Sequence, residues 1–164
     1  MFTGKMVTEA IPARVFALYK IVTSKKNISR LALQGLMEPK EIYEGTSYFS
    51  TILKTAIELK LVDVQDNYVT AIVPEEKLKT IEDLRMYIIS KLDNYEEEQF
   101  YKCTNAIVNL DEKIYKYRSI SDNEMLNYLS QKSNQQITAP MARGWRFWAQ
   151  FLGFGYMNGF VFLP

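Results

Sequence analysis

Residues 138–164 read TAPMARGWRFWAQFLGFGYMNGFVFLP, and the use of this run decides the fold. From Phe147 onward it carries no charged side chain, and only Gln150 and Asn158 interrupt aromatic, aliphatic and glycine residues. Three uses compete: a membrane anchor, a stacking surface for nucleic-acid bases, or part of a folded core. As a membrane helix, residues 147–164 are barely long enough. Gly153, Gly155 and Gly159 would weaken such a helix, and Asn158 would lie unpaired in hydrocarbon. Asn-Gly between alternating residues is instead a hairpin signal. Upstream, Met141, Trp145, Trp148, Ala149 and Leu152 recur at helical spacing and form one apolar stripe. Gly153 suits a left-handed helix end. The run therefore predicts a helix over 138–152 capped by Thr138. A hairpin follows, with strands 154–157 and 160–163 turning at Asn158-Gly159.

The rest of the chain repeats this plan. Val15, Leu18, Ile21 and Val22 predict a helix over 13–23 with Pro12 in its first turn. Asn27 or Ser29 caps a second helix, SRLALQGLM, which ends before Pro39. Glu44-Gly45 marks a loop. Thr46 then caps a third helix, with Phe49, Ile52, Leu53, Ala56 and Ile57 as its stripe. LVDV and YVTAI, separated by Gln65-Asp66-Asn67, read as a hairpin. Pro74 opens an amphipathic helix with Leu78, Ile81, Leu84, Ile88 and Leu92 on one side, running into the acidic segment 95–99. Another helix is predicted over 100–116, with Ile107, Val108, Leu110 and Ile114 apolar. Ser121 or Asp122 caps the next, through Leu129, before the polar loop QKSNQQI. Placing Thr46 on Thr138, an offset of 92, also superposes Ile28-Ser29 on Ile120-Ser121 and Asp66-Asn67 on Asn158-Gly159. An internal repeat of this kind changes the fold assignment.

Three helices followed by a two-stranded hairpin resemble the winged-helix superfamily. The resemblance implies a mainly α protein with small β-hairpins, built as two tandem winged-helix units joined by an amphipathic connector helix. The expected boundaries are 1–74 for the first unit, 75–99 for the connector and 100–164 for the second. It also implies that the third helix of each unit is the one presented to a DNA major groove. The wording MARGWRFWAQFLGFG resembles, over that short segment, the N-terminal region of DpdG-like bacterial proteins from DNA-modification or phage-defence islands. That likeness implies a piece of a larger protein.

Composition narrows the chemistry. The 164 residues are 48% hydrophobic and 24% charged, which is globular rather than disordered. The net charge of +1 supplies no global attraction to polyanions. Lys5, Arg14, Lys20, Lys25, Lys26 and Arg30 nevertheless face only Glu9 in the first thirty residues. With no histidine and only Cys103 as cysteine, an internal disulfide, a Cys/His zinc site and histidine acid–base catalysis are excluded. The Glu96–Glu98 run reads as a solvated face rather than a metal site. The start does not read as a signal peptide, so a cytoplasmic location is expected. No enzyme activity, cofactor or membrane association is expected.

What remains is binding. Beside the buried stripe of 138–152, Arg143, Arg146, Phe147 and Gln150 form an outer face; Arg can pair with guanine or phosphate and Gln with adenine. At the offset of 92, Arg146 aligns with Lys54 and Arg143 with Thr51. The first unit then offers Ser47, Tyr48, Ser50, Thr51 and Lys54. Lys25 and Lys26 could touch phosphates. Double-stranded DNA is the expected partner. A protein-docking role is the alternative, since fold alone does not choose, and exposure of Phe147, Tyr156 and Phe160 would mark a partner surface.

Overall fold

The computed structural model describes residues 6–41, 47–159 and 161–164. It is mainly helical with small antiparallel sheets. Two compact units divide it: Glu9–Tyr87, and Ile88–Pro164, to which residues 6–8 belong. The break falls inside the segment read as a connector. Among the described residues, no helix is long and apolar enough to cross a membrane.

In the first unit, α1 (Pro12–Lys25) starts on a proline whose fixed φ suits the first turn. It buries Val15, Leu18, Tyr19 and Val22, the i, i+3, i+4, i+7 set of one helix face. A two-residue strand that periodicity does not reveal, β1 (Ile28–Ser29), follows. The Ser29 side chain then accepts from Ala32 N–H at 3.2 Å and caps α2 (Arg30–Met37). Helix α3 (Phe49–Glu58) buries Phe49, Ile52, Leu53 and Ala56. Ile57, expected in the same stripe, is 38% exposed, because it sits about 80° round the helix from Phe49. Thr46, expected to cap α3, and the Glu44-Gly45 loop lie outside the described residues. Strands β2 (Val62–Gln65) and β3 (Tyr68–Ala71) pair with Gln65 opposite Tyr68. Asp66 and Asn67, both at positive φ, make the two-residue turn. β1 adds to the far side of β3, giving the order β1-β3-β2. The Tyr19 hydroxyl ties α1 to the end of this hairpin, at 3.0 Å from the Val73 carbonyl and 3.1 Å from that of Pro74.

The amphipathic helix expected from Pro74 is interrupted. A single turn of 3₁₀ helix (Glu75–Lys77) comes first, and α4 (Ile81–Ile89) starts only after Thr80. Thr80 and Asp83 exchange hydrogen bonds, Thr80 N–H to the carboxylate at 2.8 Å and Asp83 N–H to the hydroxyl at 3.1 Å. This capping box fixes the helix start. Leu78, Leu84, Ile88 and Leu92 are buried as expected, while Ile81 is exposed.

In the second unit, α5 (Gln99–Val108) is shorter than expected. Asp111 takes a left-handed conformation, φ 48°, and residues Asp111–Lys116 continue as 3₁₀ helix. Ile107, Leu110 and Ile114 are buried, and Val108 is exposed. Asp122 rather than Ser121 caps α6 (Asn123–Ser133), accepting from Met125 N–H at 2.7 Å. Helix α6 runs past Leu129 to a left-handed Asn134 because Ser133 is also buried, bonded to the Leu129 carbonyl. The opening segment forms α7 (Ala139–Leu152). It buries the five residues expected of it and ends at left-handed Gly153. Thr138 occupies the cap position, but its side chain makes no cap hydrogen bond. Trp145 packs edge-on against Phe162, ring centres 4.7 Å apart. Its indole N–H donates to the buried Thr104 hydroxyl at 2.9 Å. Strands β4 (Tyr156–Asn158) and β5 (Val161–Leu163) pair Asn158 with Val161. The turn therefore begins after Asn158, one residue later than expected; Phe160 lies outside the described residues.

The repeat has an offset of 93, not 92, in the parts that can be matched bond for bond. The cap of the second helix moves from 29 to 122. The helix-end bond Leu61 N–H to Ala56 carbonyl reappears as Phe154 N–H to Ala149 carbonyl. Left-handed Lys60 becomes left-handed Gly153, and the pair Gln65–Tyr68 becomes Asn158–Val161. One residue of shift changes which side chains are equivalent. Arg143 now matches Ser50, Arg146 matches buried Leu53, Phe147 matches Lys54 and Gln150 matches exposed Ile57.

Candidate nucleic-acid interface

The α3 N-terminus is occupied from within its own unit. Glu38, the residue that ends α2, turns its carboxylate onto it. Oε1 accepts from Tyr48 N–H at 2.6 Å and Phe49 N–H at 2.8 Å, and Oε2 accepts from the Ser47 hydroxyl at 2.6 Å. Gln34 donates to Ser47 at 3.3 Å. Burial alone would raise the Glu38 carboxyl. The Ser47 hydroxyl, the Tyr48 and Phe49 N–H groups and Gln34 outweigh it and hold the group below the ordinary glutamate value. The positive end of the α3 dipole, the natural place for a phosphate, thus already holds a negative charge.

The expected α3 residues divide accordingly. Ser47 is exposed, but its hydroxyl is committed to Glu38. Tyr48 is half-buried, and the Arg14 guanidinium lies 5.9 Å from its ring centre. Ser50 and Lys54 point outward, and Thr51 is half-buried. Lys54 sits 3.9 Å from Glu58, one turn on. Lys25 and Lys26 are exposed at the end of α1, with Lys26 at φ 61°. Glu38 was not visible as a site residue by periodicity. One signal existed: an acid at the C-terminal end of a helix opposes that helix's own dipole and calls for donors elsewhere.

On α7 the outward face is differently made. Arg143, Arg146, Phe147 and Gln150 fall at i, i+3, i+4 and i+7, one line along the helix. Arg143 and Gln150 are exposed, and Arg146 and Phe147 are half-buried. The Arg146 guanidinium lies over the Phe147 ring, 5.0 Å from its centre. Its Nε is buried without a hydrogen-bond partner. Neither arginine forms an ion pair among the described residues. No acid lies in the first turn of α7, and at the spacing of 93 the counterpart of Glu38 is the neutral, exposed Gln131. The two third helices therefore differ in kind: one carries a seated carboxylate, the other two arginines with no ion pair among the described residues.

Elsewhere, Cys103 is buried, and burial pushes its thiol up to about 12, so it is a poor nucleophile. Among the described residues, no group of three or more histidine, cysteine or acidic side chains could hold a metal ion. Tyr156 is 60% exposed. Helix α2 shows a surface that the sequence did not single out. Leu31 is 81% and Leu36 51% exposed, and Ala32 and Gly35 between them are exposed as well. No protein-family model matches the chain, and neither a curated protein nor a solved structure matches it.

Proposed function

We propose that the chain is a non-enzymatic double-stranded-DNA-binding module of two winged-helix units, in which α7 is the helix that meets the duplex. The observation that carries this reading is the carboxylate-free line Arg143, Arg146, Phe147 and Gln150 on the outer side of α7. An α-helix fits a major groove. On such a helix Arg143 pairs with a guanine edge or a phosphate, Gln150 with adenine, and Phe147 lies against a thymine methyl. Arg146, stacked on Phe147, adds a second cation. The element order of the first unit and the spacing of 93 between the units support the tandem winged-helix reading. Contact through α3 is disfavoured by Glu38, so DNA binding narrows from both third helices to one.

Gel-shift titration with mixed-sequence duplex at two salt concentrations tests this. Retardation at low salt that weakens at high salt, and that Arg143→Gln with Arg146→Gln removes, is the expected result. No binding at low salt would overturn it.

The exposed apolar face of α2 favours a second reading, a protein-docking module. Leu31→Lys with Leu36→Lys would then abolish partner capture and leave duplex binding unchanged.

A further inference from the structure

The α5–α6 pair frames a groove of about 440 Å³ whose lining shares no residue with the α7 line. Its cations come from three separate segments. Lys102 lies on α5, Lys113 on the 3₁₀ turn that follows, and Lys132 on α6. Among the described residues, no carboxylate lines it. Lys113 and Lys132 have no acidic partner within 4 Å among the described residues. Lys102 pairs with Glu97 at 2.8 Å, but the Glu97 side chain is 92% exposed. An ion pair so open to water is weak and exchanges readily for a better anion.

The neutral lining is ordered around these charges. The Asn109 amide donates to the Asn105 carbonyl oxygen at 2.9 Å, which fixes both side chains and leaves the Asn105 amide N–H groups to donate outward. Tyr128 donates its hydroxyl to the Ala106 carbonyl at 3.1 Å and so holds α6 against α5 at the groove. Burial and the neighbouring Tyr117 raise that phenol above its ordinary value, so it adds no negative charge. The Lys132 ammonium is braced over the Tyr128 ring, 5.9 Å from its centre. Three lysines lining one groove, only Lys102 of them with an acidic partner, repel one another unless an anion joins them. The volume falls in the range of small-molecule sites, roughly 300–1,000 Å³.

We infer that this groove binds a phosphate-bearing small molecule, with Lys102, Lys113 and Lys132 holding the phosphate oxygens and the Asn105 amide donating to the ligand's polar edge. The same chemistry is offered by free phosphates and by the backbone of a nucleic acid, and the test separates them. Inorganic pyrophosphate is titrated into the ¹⁵N-labelled full chain at constant ionic strength. Saturable shifts confined to the side-chain amides of Asn105 and Asn109 and to α6 around Tyr128 are expected. Lys113→Ala with Lys132→Ala weakens them at least about tenfold, since two charge-assisted contacts are lost. Lys113→Arg with Lys132→Arg retains them. Shifts that never saturate, or that the alanine pair leaves unchanged, overturn the site. Mixed-sequence duplex is the second probe. Equal duplex binding by the alanine pair and the unaltered chain supports a small-molecule site independent of α7. A tenfold loss of duplex binding in that pair would overturn the small-molecule assignment.

Discussion

Glu38 and Thr104 do their work through partners distant in sequence. Glu38 replaces a local cap with a carboxylate brought from the preceding helix. Its folded-state value is depressed. Its contribution is therefore complete above the unfolded carboxyl value of about 4.3 and is lost as pH falls through the lower folded value. Glu38→Gln is expected to cost about 1 kcal/mol at neutral pH and to cost progressively less in acid. Urea titrations of both proteins near pH 7 and near pH 3 read this, and a gap that does not narrow would mean the charge is irrelevant. In the second unit, Thr104 accepts from the Trp145 indole and donates to the Phe100 carbonyl at 2.8 Å. Thr104→Val keeps the shape but strands a buried indole N–H, at a cost of about 1–3 kcal/mol. A lower urea midpoint followed by tryptophan fluorescence is the expected outcome. Neither residue was legible beforehand. Periodicity reports which face of a helix is buried, as it did for Met141, Trp145 and Trp148, but not which polar group reaches across to another helix.

Among elements, α1, α3 and α7 were legible from their apolar repeats, α2 from its cap and the following Pro39, and the first hairpin from its turn between alternating runs. β1 was not, since two residues have no period and exist as strand only through pairing with β3. The second hairpin slipped by one for a physical reason. The Leu163 carbonyl sits so close to Gly155 that a β-carbon there would clash with it. That approach sets Leu163 opposite Tyr156 and moves the turn past Asn158, although Asn-Gly is the stronger local signal. The matched helix ends give a prediction. Lys60 and Gly153 hold the same left-handed position after α3 and α7, at φ 55° and 83°. A side chain there costs about 1 kcal/mol, and glycine gives back part of that through its freer unfolded state. Lys60→Gly is expected to stabilise its unit by about 0.5 kcal/mol, and Gly153→Lys to destabilise the other by a similar amount. Thermal melts of the two variants check both signs, and a shift in the same direction for both would break the equivalence.

For the molecule as a whole, charge decides how DNA could be held. The net charge is +1 over 164 residues, so the chain as a whole supplies no general attraction to duplex. The line along α7 was legible from its spacing, while the carboxylate seated at the α3 N-terminus was not, because Glu38 comes from the preceding helix. If α7 alone meets the duplex, the cations engaged are Arg143 and Arg146. Each phosphate neutralised contributes about −0.9 to the slope of log affinity against log salt. The slope is then expected near −2, and near −1 for Arg143→Gln, when anisotropy of a labelled duplex is followed between about 50 and 200 mM salt. A slope of about −5 or steeper would place further cations at the interface. Lys25, Lys26 and Arg30, exposed together at the α1–α2 junction, would be the first to replace. A slope unchanged by Arg143→Gln would move the contact off α7 altogether.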